Sequence, residues 1–151
     1  MEKDRTKWNQ KFSGRHGELN EPESFVVQTA GLLCPGSVLD LASGDGRNAV
    51  YLAANGFSVT AVDISDVALK RLAQVAENRQ LTIQSRQMDL DHSEELGALG
   101  AFDNLLACHY KPAPDLLARF PLLVRPGGMV ILCVFNLRQH QEHGFSLRYC
   151  A

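Results

Sequence analysis

Residues 38–48, VLDLASGDGRN, join a short apolar run to a glycine-rich turn and to the start of a helical pattern. The run at 37–42 predicts a short buried strand, and residues 43–46 predict a tight turn. Residues 47–55 predict a helix, because their apolar side chains share one face and Gly56 follows as a stop signal. A strand that leads through a glycine turn into a helix is typical of α/β proteins.

The same alternation continues along the chain. Further strands are predicted at 57–62, 81–88, 102–108 and 129–135, and further helices at 20–33, 65–76 and 114–124. The helix at 20–33 has Asn20 as its predicted N-cap. This alternation predicts a parallel sheet with helices on both faces. Right-handed crossovers then place the carboxyl ends of the strands along one edge, where such sheets bind ligands.

Length and composition describe one globular domain. The chain has 151 residues, of which 45% are hydrophobic and 21% charged, and this excludes a disordered chain and a coiled coil. The formal net charge of -2 provides no basic surface, so we expect neither nucleic acid nor an anionic membrane as a partner. The longest apolar run, at 129–135, is too short to span a bilayer, and the charged residues 1–5 lack the apolar core of a secretory signal.

The four cysteines, at positions 34, 108, 133 and 150, lie far apart and form no C-x-x-C pair. This spacing argues against a zinc knuckle or a disulfide framework and favours a reducing, cytoplasmic compartment. His140 and His143 have a spacing that occurs in metal sites, but the sequence shows no third ligand near them. We therefore expect no metal site.

Aspartates recur where the predicted strands end. Asp40, Asp63 and Asp89 follow the first three strands, Asp45 lies inside the glycine turn, and Asp103 lies near an end of the fourth strand. Each aspartate alone is equally well explained as a helix cap. Their recurrence at three successive strand ends favours a ligand site on the shared edge.

Residues 44–49, GDGRNA, match the G-x-G-x-x-G/A fingerprint of dinucleotide sites, and Asp63 lies 17 residues beyond Gly46, near the expected ribose-binding acid. The pattern alone leaves a nicotinamide or flavin site open. Electrostatics argues against it, because Asp45 and Asp40 would repel a pyrophosphate. The same carboxylates would accept a ligand with an ammonium, a sulfonium and ribose hydroxyls, such as S-adenosylmethionine.

Several short segments resemble, in order and spacing, the class I S-adenosylmethionine-dependent methyltransferases. The matching segments are 38–48, 51–53, 59–65, 88–90, 102–106 and 125–128. Residues 38–48 resemble motif I of that family, and the next two segments resemble its small-molecule branch near the tellurite-resistance methyltransferases. The resemblance covers residues 20–136. It implies a Rossmann-like doubly wound parallel sheet of strand order 3-2-1-4-5, S-adenosylmethionine as cofactor and a small molecule as methyl acceptor.

The resemblance also implies roles for matching positions. Gly44 and Gly46 would let the backbone approach the methionine part of the cofactor, and Asp40 would organise that loop. Asp63 would accept hydrogen bonds from the ribose hydroxyls, and Asp89 from the adenine amino group. The full implied cofactor-binding set is Asp40, Ala42, Ser43, Gly44, Gly46, Asn48, Asp63, Ile64, Ser65, Asp89, Leu90 and Cys108.

His109 and Tyr110 directly follow the fourth strand and are the candidate catalytic residues. A general base is needed only when the acceptor carries a proton that must leave first. A soft acceptor, such as a thiol or a chalcogen oxyanion, needs neither residue as a base. Both residues are also explained by a packing role.

The two ends of the chain flank the predicted core at 20–136. Residues 1–19 predict a helix whose Trp8 and Phe12 either pin it to the core or form a lid over a pocket. Residues 137–151 are expected to be a flexible or truncated tail, which leaves no room for the usual C-terminal antiparallel hairpin of the family. The fifth strand would then have an uncovered edge, so we expect a homodimer through it.

Two other functions stay open at this level. The first is a non-catalytic domain that binds S-adenosylmethionine or serves as an interaction module. The second is a nicotinamide dinucleotide-binding domain.

Overall fold

The computed structural model describes residues 2–92 and 94–150, and its centre is a parallel sheet of five strands. The strands are β1 (Ser37–Leu41), β2 (Ser58–Asp63), β3 (Ile83–Gln87), β4 (Phe102–Cys108) and β5 (Val124–Cys133). They lie in the order β3-β2-β1-β4-β5, and each neighbouring pair is parallel. The predicted Rossmann-like sheet of strand order 3-2-1-4-5 is therefore confirmed.

Helices cover both faces of the sheet. They are α1 (Glu2–Ser13), α2 (Ser24–Thr29), α3 (Arg47–Ala54), α4 (Asp66–Asn78), α5 (Pro114–Leu123) and α6 (Leu137–His143). Val38 of β1 belongs to the core that α2, α3 and α4 cover, whereas Leu39, its neighbour, belongs to the core under α5. This period of two is what a strand buried on both faces requires. Across the described ranges, no helix combines the length and the apolar character that crossing a bilayer requires.

The second helix begins at Ser24, and the prediction of its start at Asn20 is wrong. Tertiary contacts explain the difference. The Glu23 N–H donates to Asn48 Oδ1 at 2.8 Å, and the Glu23 carboxylate binds the Arg47 guanidinium at 2.8 Å. These bonds tie the segment before the helix to the start of α3, so its backbone is satisfied outside a helix.

Strand β5 begins at Val124, earlier than the predicted start at Met129. Val124 pairs with Phe102 and Met129 pairs with Asn104, and the register shifts between these two pairs. The turn residues 125–128 therefore form an irregularity inside the strand, because the partner strand advances by two residues while β5 advances by five.

The segment 137–151 contains a helix that the sequence analysis did not identify. The Asn136 side chain accepts the Gln139 N–H, and the Gln139 side chain accepts the Asn136 N–H, which together form a capping box at the start of α6. Beyond β5, Phe135 forms an isolated parallel bridge with Cys150. Within the described residues that follow β5, no antiparallel hairpin is present.

Asp103 lies at the amino end of β4, on the edge of the sheet opposite to Asp40. Its Oδ2 accepts the Ser37 N–H at 2.8 Å, and its Oδ1 accepts from Arg125 at 2.8 Å. The Ser37 N–H, followed by Arg125, lowers the pKa of Asp103 to about 2. Asp103 thus joins β1 to β4 and takes no part in the ligand edge.

We predict that Asn104→Ala lowers the free energy of unfolding by about 2–3 kcal/mol, since it leaves buried backbone groups without partners. Asn104 is fully buried, its Oδ1 accepts the Cys34 N–H at 2.8 Å, and its Nδ2 donates to the Cys34 and Ser37 carbonyls at 2.7 and 3.0 Å. Urea unfolding measures the loss. Asn78→Ala, at the exposed end of α4, is the matched control and should stay within about 0.5 kcal/mol of the parent chain. Equal losses in the two variants would contradict the prediction.

Candidate functional site at the carboxyl edge of the sheet

A cavity of about 480 Å³ opens at the carboxyl edge of the sheet, a size typical of small-molecule sites. Most of the residues that the sequence analysis assigned to a site line it. They are Asp40, Ala42, Ser43, Gly44, Asn48, Asp63, Ile64, Asp89, Leu90, Cys108, His109 and Tyr110. Gly46 and Ser65 lie outside the lining. The edge is therefore the place where the sequence motifs converge.

The glycine turn has two glycines with different tasks. Gly46 has φ 88°, and a Cβ there would lie 2.3 Å from Leu72 Cδ1, so Gly46 lets α4 pack closely against the turn. Gly44 has φ 58° and faces the cavity, where a Cβ would lie 3.0 Å from Phe12 Cζ. Only Gly44 presents its backbone to the space in which a ligand would bind.

Asp40 is the most unusual group in the cavity. It is 1% exposed, and its Oδ2 accepts no hydrogen bond from any described residue. Burial, and then the neighbouring Asp63, raise the pKa of Asp40 to about 8. A buried carboxyl without a partner is costly unless a ligand supplies one. The arrangement fits a ligand that brings a positive charge or a hydrogen-bond donor.

The Asp63 carboxylate connects the end of β2 to the glycine turn. Its Oδ2 accepts the Gly44 N–H at 2.8 Å, and its Oδ1 accepts the Ser65 N–H at 2.8 Å. Burial raises its pKa, and the backbone donors oppose that rise. Ser65 caps α4, as its sequence position predicts, by accepting the Ala68 N–H. Its hydroxyl also donates to Asn9 at 2.6 Å, which explains why it is absent from the cavity wall.

Asp45 is neutralised within the protein. Its two carboxylate oxygens accept from Arg15 at 3.1 and 3.0 Å, and Arg71 lies 3.5 Å away. The sequence argument against a pyrophosphate assumed that Asp40 and Asp45 are both free negative charges. The arginine partners of Asp45 and the raised pKa of Asp40 weaken that argument. The sequence could not reveal these partners, because Arg15 and Arg71 are distant along the chain.

Helix α1 forms one wall of the cavity through Trp8, Lys11, Phe12 and the following Arg15. Phe12 is 6% exposed, its ring lies 6.3 Å from that of Trp8, and the Arg15 guanidinium lies 4.9 Å from its centroid. The sequence analysis left two interpretations of this helix, attachment to the core and a lid over a pocket. The same aromatic side chains suit both, because Phe12 is buried and also lies against Gly44 in the cavity.

His109 stands in a network with Glu23 and Arg47. Its Nε2 lies 3.2 Å from Glu23 Oε2, and its Nδ1 lies 3.4 Å from Arg47 Nη2. Burial lowers the pKa of His109. In the neutral ring, the carboxylate assigns the proton to Nε2, so Nδ1 is left to accept from Arg47. The nitrogen that would act as a base is therefore already in contact with a donor.

Tyr110 is likewise held as a donor. Its hydroxyl lies 3.5 Å from Asp91 Oδ1, and burial raises its pKa. On the same side of the cavity, Asp89 Oδ1 accepts the Asp91 N–H at 3.1 Å, and Leu90 is buried. In this arrangement neither Tyr110 nor His109 is a free base.

Backbone strain marks two cavity residues. Ala42, directly after β1, has φ 55°, and His109, directly after β4, has φ 57°. Such left-handed conformations are uncommon for residues other than glycine and tend to occur at functional sites. Neither position carries a glycine or asparagine that would have signalled this in the sequence.

The sequence analysis missed one cluster of potential metal ligands. Cys108, His109 and Cys133 place one ligand atom each within 4.8 Å of one another, and among the described residues this is the group that could hold a metal ion. The 24 residues between the two cysteines concealed it, since only the pairing of β4 with β5 brings them together. His140, the sequence candidate, instead contacts the Phe145 carbonyl through its Nδ1.

A match to one protein-family model identifies the family of this chain. The sequence model described as tellurite resistance protein TehB matches residues 6–104. The probable S-adenosyl-L-methionine-dependent methyltransferase TehB of Haemophilus influenzae is 35% identical over 66 residues, which are 44% of this chain and 23% of that protein. Hemagglutinin 1 of Eikenella corrodens is 27% identical over 120 residues, 78% of this chain and 40% of that protein.

A likeness in structure accompanies these matches. The crystal structure of TehB from Haemophilus influenzae superimposes with a TM-score of 0.69 at 21% identity, covering 85% of this chain and 46% of that one. At this identity the likeness shows the shared fold. In each of these three matches, this chain covers less than half the length of the other protein.

We predict that Asp40→Asn removes a pH-dependent loss of stability. The folded chain binds the Asp40 proton more tightly than the unfolded chain does, because the folded pKa is about 8 and the ordinary value is 3.8. The stabilisation from this proton is complete below about pH 4 and is lost as the pH rises towards 8. The parent chain should therefore lose a few kcal/mol more than Asp40→Asn over this interval, as measured by urea unfolding. Parallel pH profiles for the two chains would rule out a raised pKa at Asp40.

Proposed function

We propose, because this chain belongs to the TehB family of tellurite resistance proteins, that it binds S-adenosylmethionine and acts as a methyltransferase on a small-molecule acceptor. The observation that carries the proposal is the buried Asp40 carboxyl, whose Oδ2 accepts no hydrogen bond from any described residue. A ligand with a sulfonium and an ammonium supplies the positive charge that would favour ionised Asp40.

The cavity walls suit the remaining parts of that ligand. The Gly44 backbone faces the space for the methionine part, and Asp63 lines the same space at the end of β2. Because the Asp63 oxygens already accept two backbone N–H groups, ribose hydroxyls would use their remaining lone pairs. Ile64 and Leu90 would enclose the adenine, with Asp89 accepting from its amino group.

The methyl transfer that we propose is an in-line displacement. S-adenosylmethionine supplies a methyl group that its sulfonium already activates. The protein contributes proximity and orientation, which are large effects for a reaction between two bound molecules. Helix α1 excludes water from one side of the cavity through Trp8 and Phe12.

His109 and Tyr110 remain the proposed catalytic residues, with roles in positioning. His109 would take a proton only after Arg47 leaves its Nδ1, and Tyr110 would donate through its hydroxyl. The site is thus best suited to an acceptor that needs no deprotonation, such as a thiolate or a chalcogen oxyanion. The family description makes tellurite the first acceptor to test.

The two alternative functions predict different results in binding experiments. A nicotinamide site is supported by the glycine fingerprint and by the neutralisation of Asp45, and it predicts binding of NAD. A non-catalytic domain predicts S-adenosylhomocysteine binding without turnover. The cytoplasmic location also stays a prediction, and it is consistent with the four free cysteines.

The first test of the proposal is calorimetric titration with S-adenosylhomocysteine and, in parallel, with NAD. We expect binding of S-adenosylhomocysteine alone. Turnover of S-adenosylmethionine is then measured against tellurite, selenite, small thiols and small amines. Binding without turnover across the panel would favour the non-catalytic domain, and binding of NAD alone would overturn the proposal.

We predict that Asp63→Asn weakens S-adenosylhomocysteine binding by about 1–3 kcal/mol, because the substitution removes one acceptor from the turn and the cavity. Calorimetry measures the change. Asp103→Asn is the matched control, since this carboxylate also accepts a backbone N–H but lies on the opposite edge of the sheet. Its dissociation constant should equal that of the parent chain. An unchanged affinity in Asp63→Asn would refute the assignment of Asp63.

We further infer that the outer edge of β5 pairs with a second copy of the chain. Val130 and Leu132 are 41% and 40% exposed, whereas Ile131 between them is buried. Strand β5 is at the edge of the sheet, and such an edge is prone to pairing. Light scattering after size exclusion should detect a homodimer, and Leu132→Lys should shift it towards the monomer. A monodisperse monomer of the parent chain at high concentration would refute this inference.

A further inference from the structure

Two thiols and an imidazole meet where β4 and β5 end. Cys108 and Cys133 are direct partners in the parallel register of these strands, and His109 follows Cys108. The three ligand atoms lie within 4.8 Å of one another. The backbone N–H of His109 donates to the Cys133 carbonyl at 2.6 Å. This bond holds the strained backbone at His109 against the end of β5.

We propose that Cys108, His109 and Cys133 form a binding site for one soft divalent cation of the Zn²⁺ class. Two cysteines and one histidine are a donor set that such cations prefer, with metal–sulfur distances near 2.3 Å and metal–nitrogen distances of about 2.0–2.1 Å. Ligand atoms within 4.8 Å need only a small contraction to reach this geometry. Cys108 and His109 line the cavity, so a cation held by them would lie beside the space in which an acceptor would bind.

The charges around the thiols favour a cation. Glu23 places a negative charge beside the cluster, with its Oε2 3.2 Å from His109 Nε2. Each thiol would release its proton when the cation binds, as thiol ligands do. The two thiolates would then balance the charge of the cation.

The hydrogen bonds of His109 prepare it as a ligand. Glu23 Oε2 lies 3.2 Å from Nε2 and assigns the proton to that nitrogen, which leaves the Nδ1 lone pair for the metal. A carboxylate behind a histidine is the usual outer partner of a metal-binding imidazole. Arg47 has to yield Nδ1, and its 3.4 Å contact there is longer than its 2.8 Å bond to Glu23.

The proposed site shares Cys108 and His109 with the cavity, but its test requires no methyl transfer and uses the cation alone. The full chain, kept reduced under anaerobic conditions, is titrated with Co²⁺ as a spectroscopic substitute for Zn²⁺. We expect one equivalent to bind with thiolate-to-cobalt charge-transfer absorption and the visible bands of a tetrahedral site. Zn²⁺ should displace the Co²⁺ and abolish both signals.

Variants identify the ligands. Cys133→Ser should weaken binding by about 10- to 100-fold or more, because even outer-shell changes cost that much. Cys133 lies outside the cavity lining, and Cys133→Ala serves as a second variant if the serine disturbs folding. Cys34→Ser is the matched control, since Cys34 bonds to the Gly127 carbonyl at the other edge of the sheet, and its Co²⁺ affinity should be unchanged.

Two results would overturn the proposal. The first is a folded, reduced parent chain that shows no thiolate-to-cobalt absorption. The second is thiolate-to-cobalt absorption that persists unchanged in folded Cys133→Ser or Cys133→Ala, which would place the cation on other ligands. Circular dichroism on each variant separates a lost site from a lost fold.

Discussion

The carboxylate of Asp63 makes the two hydrogen bonds on which the site depends. It accepts the N–H of Gly44 in the turn after β1 and the N–H of Ser65 before α4. The turns that follow two adjacent strands are thereby held in one geometry, and the backbone of Gly44 is kept facing the cavity. Burial opposes the charge of Asp63, and the two backbone donors compensate for part of that cost.

Around this connection, the protein distributes its negative charges unequally. Asp45 is paired with Arg15, which follows α1, and with Arg71 of α4, so one carboxylate links both segments to the turn. Asp40 lies deeper and is left with an oxygen that no described residue satisfies. The cavity thus combines a rigid, neutralised rim with one unsatisfied acid at its base, and this contrast is what suits a cationic ligand.

His109 connects several elements in the cavity wall. Its contacts with Glu23 and Arg47 come from the N-cap of α2 and from α3, and its backbone N–H is bonded to the end of β5. His109 therefore contacts three parts of the chain that meet only after folding. A proton, a metal ion or an acceptor that engages His109 must alter the same hydrogen bonds, so these three roles compete for one ring.

The sequence was sufficient for the fold because its evidence is local. Hydrophobic alternation, the glycine turn and the stop signals all act within about ten residues, and they predicted the five parallel strands. The motifs at the strand ends also located the cavity, since parallel strands bring their carboxyl ends to one edge. Gly46 and Ser65 stand in those motifs but face away from the cavity, and a motif match cannot separate ligand contact from packing.

Partners distant along the chain were decided only by the tertiary structure. The pairing of Asp45 with Arg15 and Arg71, the bonds that delay α2 until Ser24, and the meeting of Cys108 with Cys133 all require the sheet to form first. The charge and hydrogen bonds of a side chain depend on its neighbours and on its burial, and the residue type alone does not determine either. The sequence thus predicts where the ligand edge lies and which residues form it. The protonation states and contacts of those residues are set only by the folded chain.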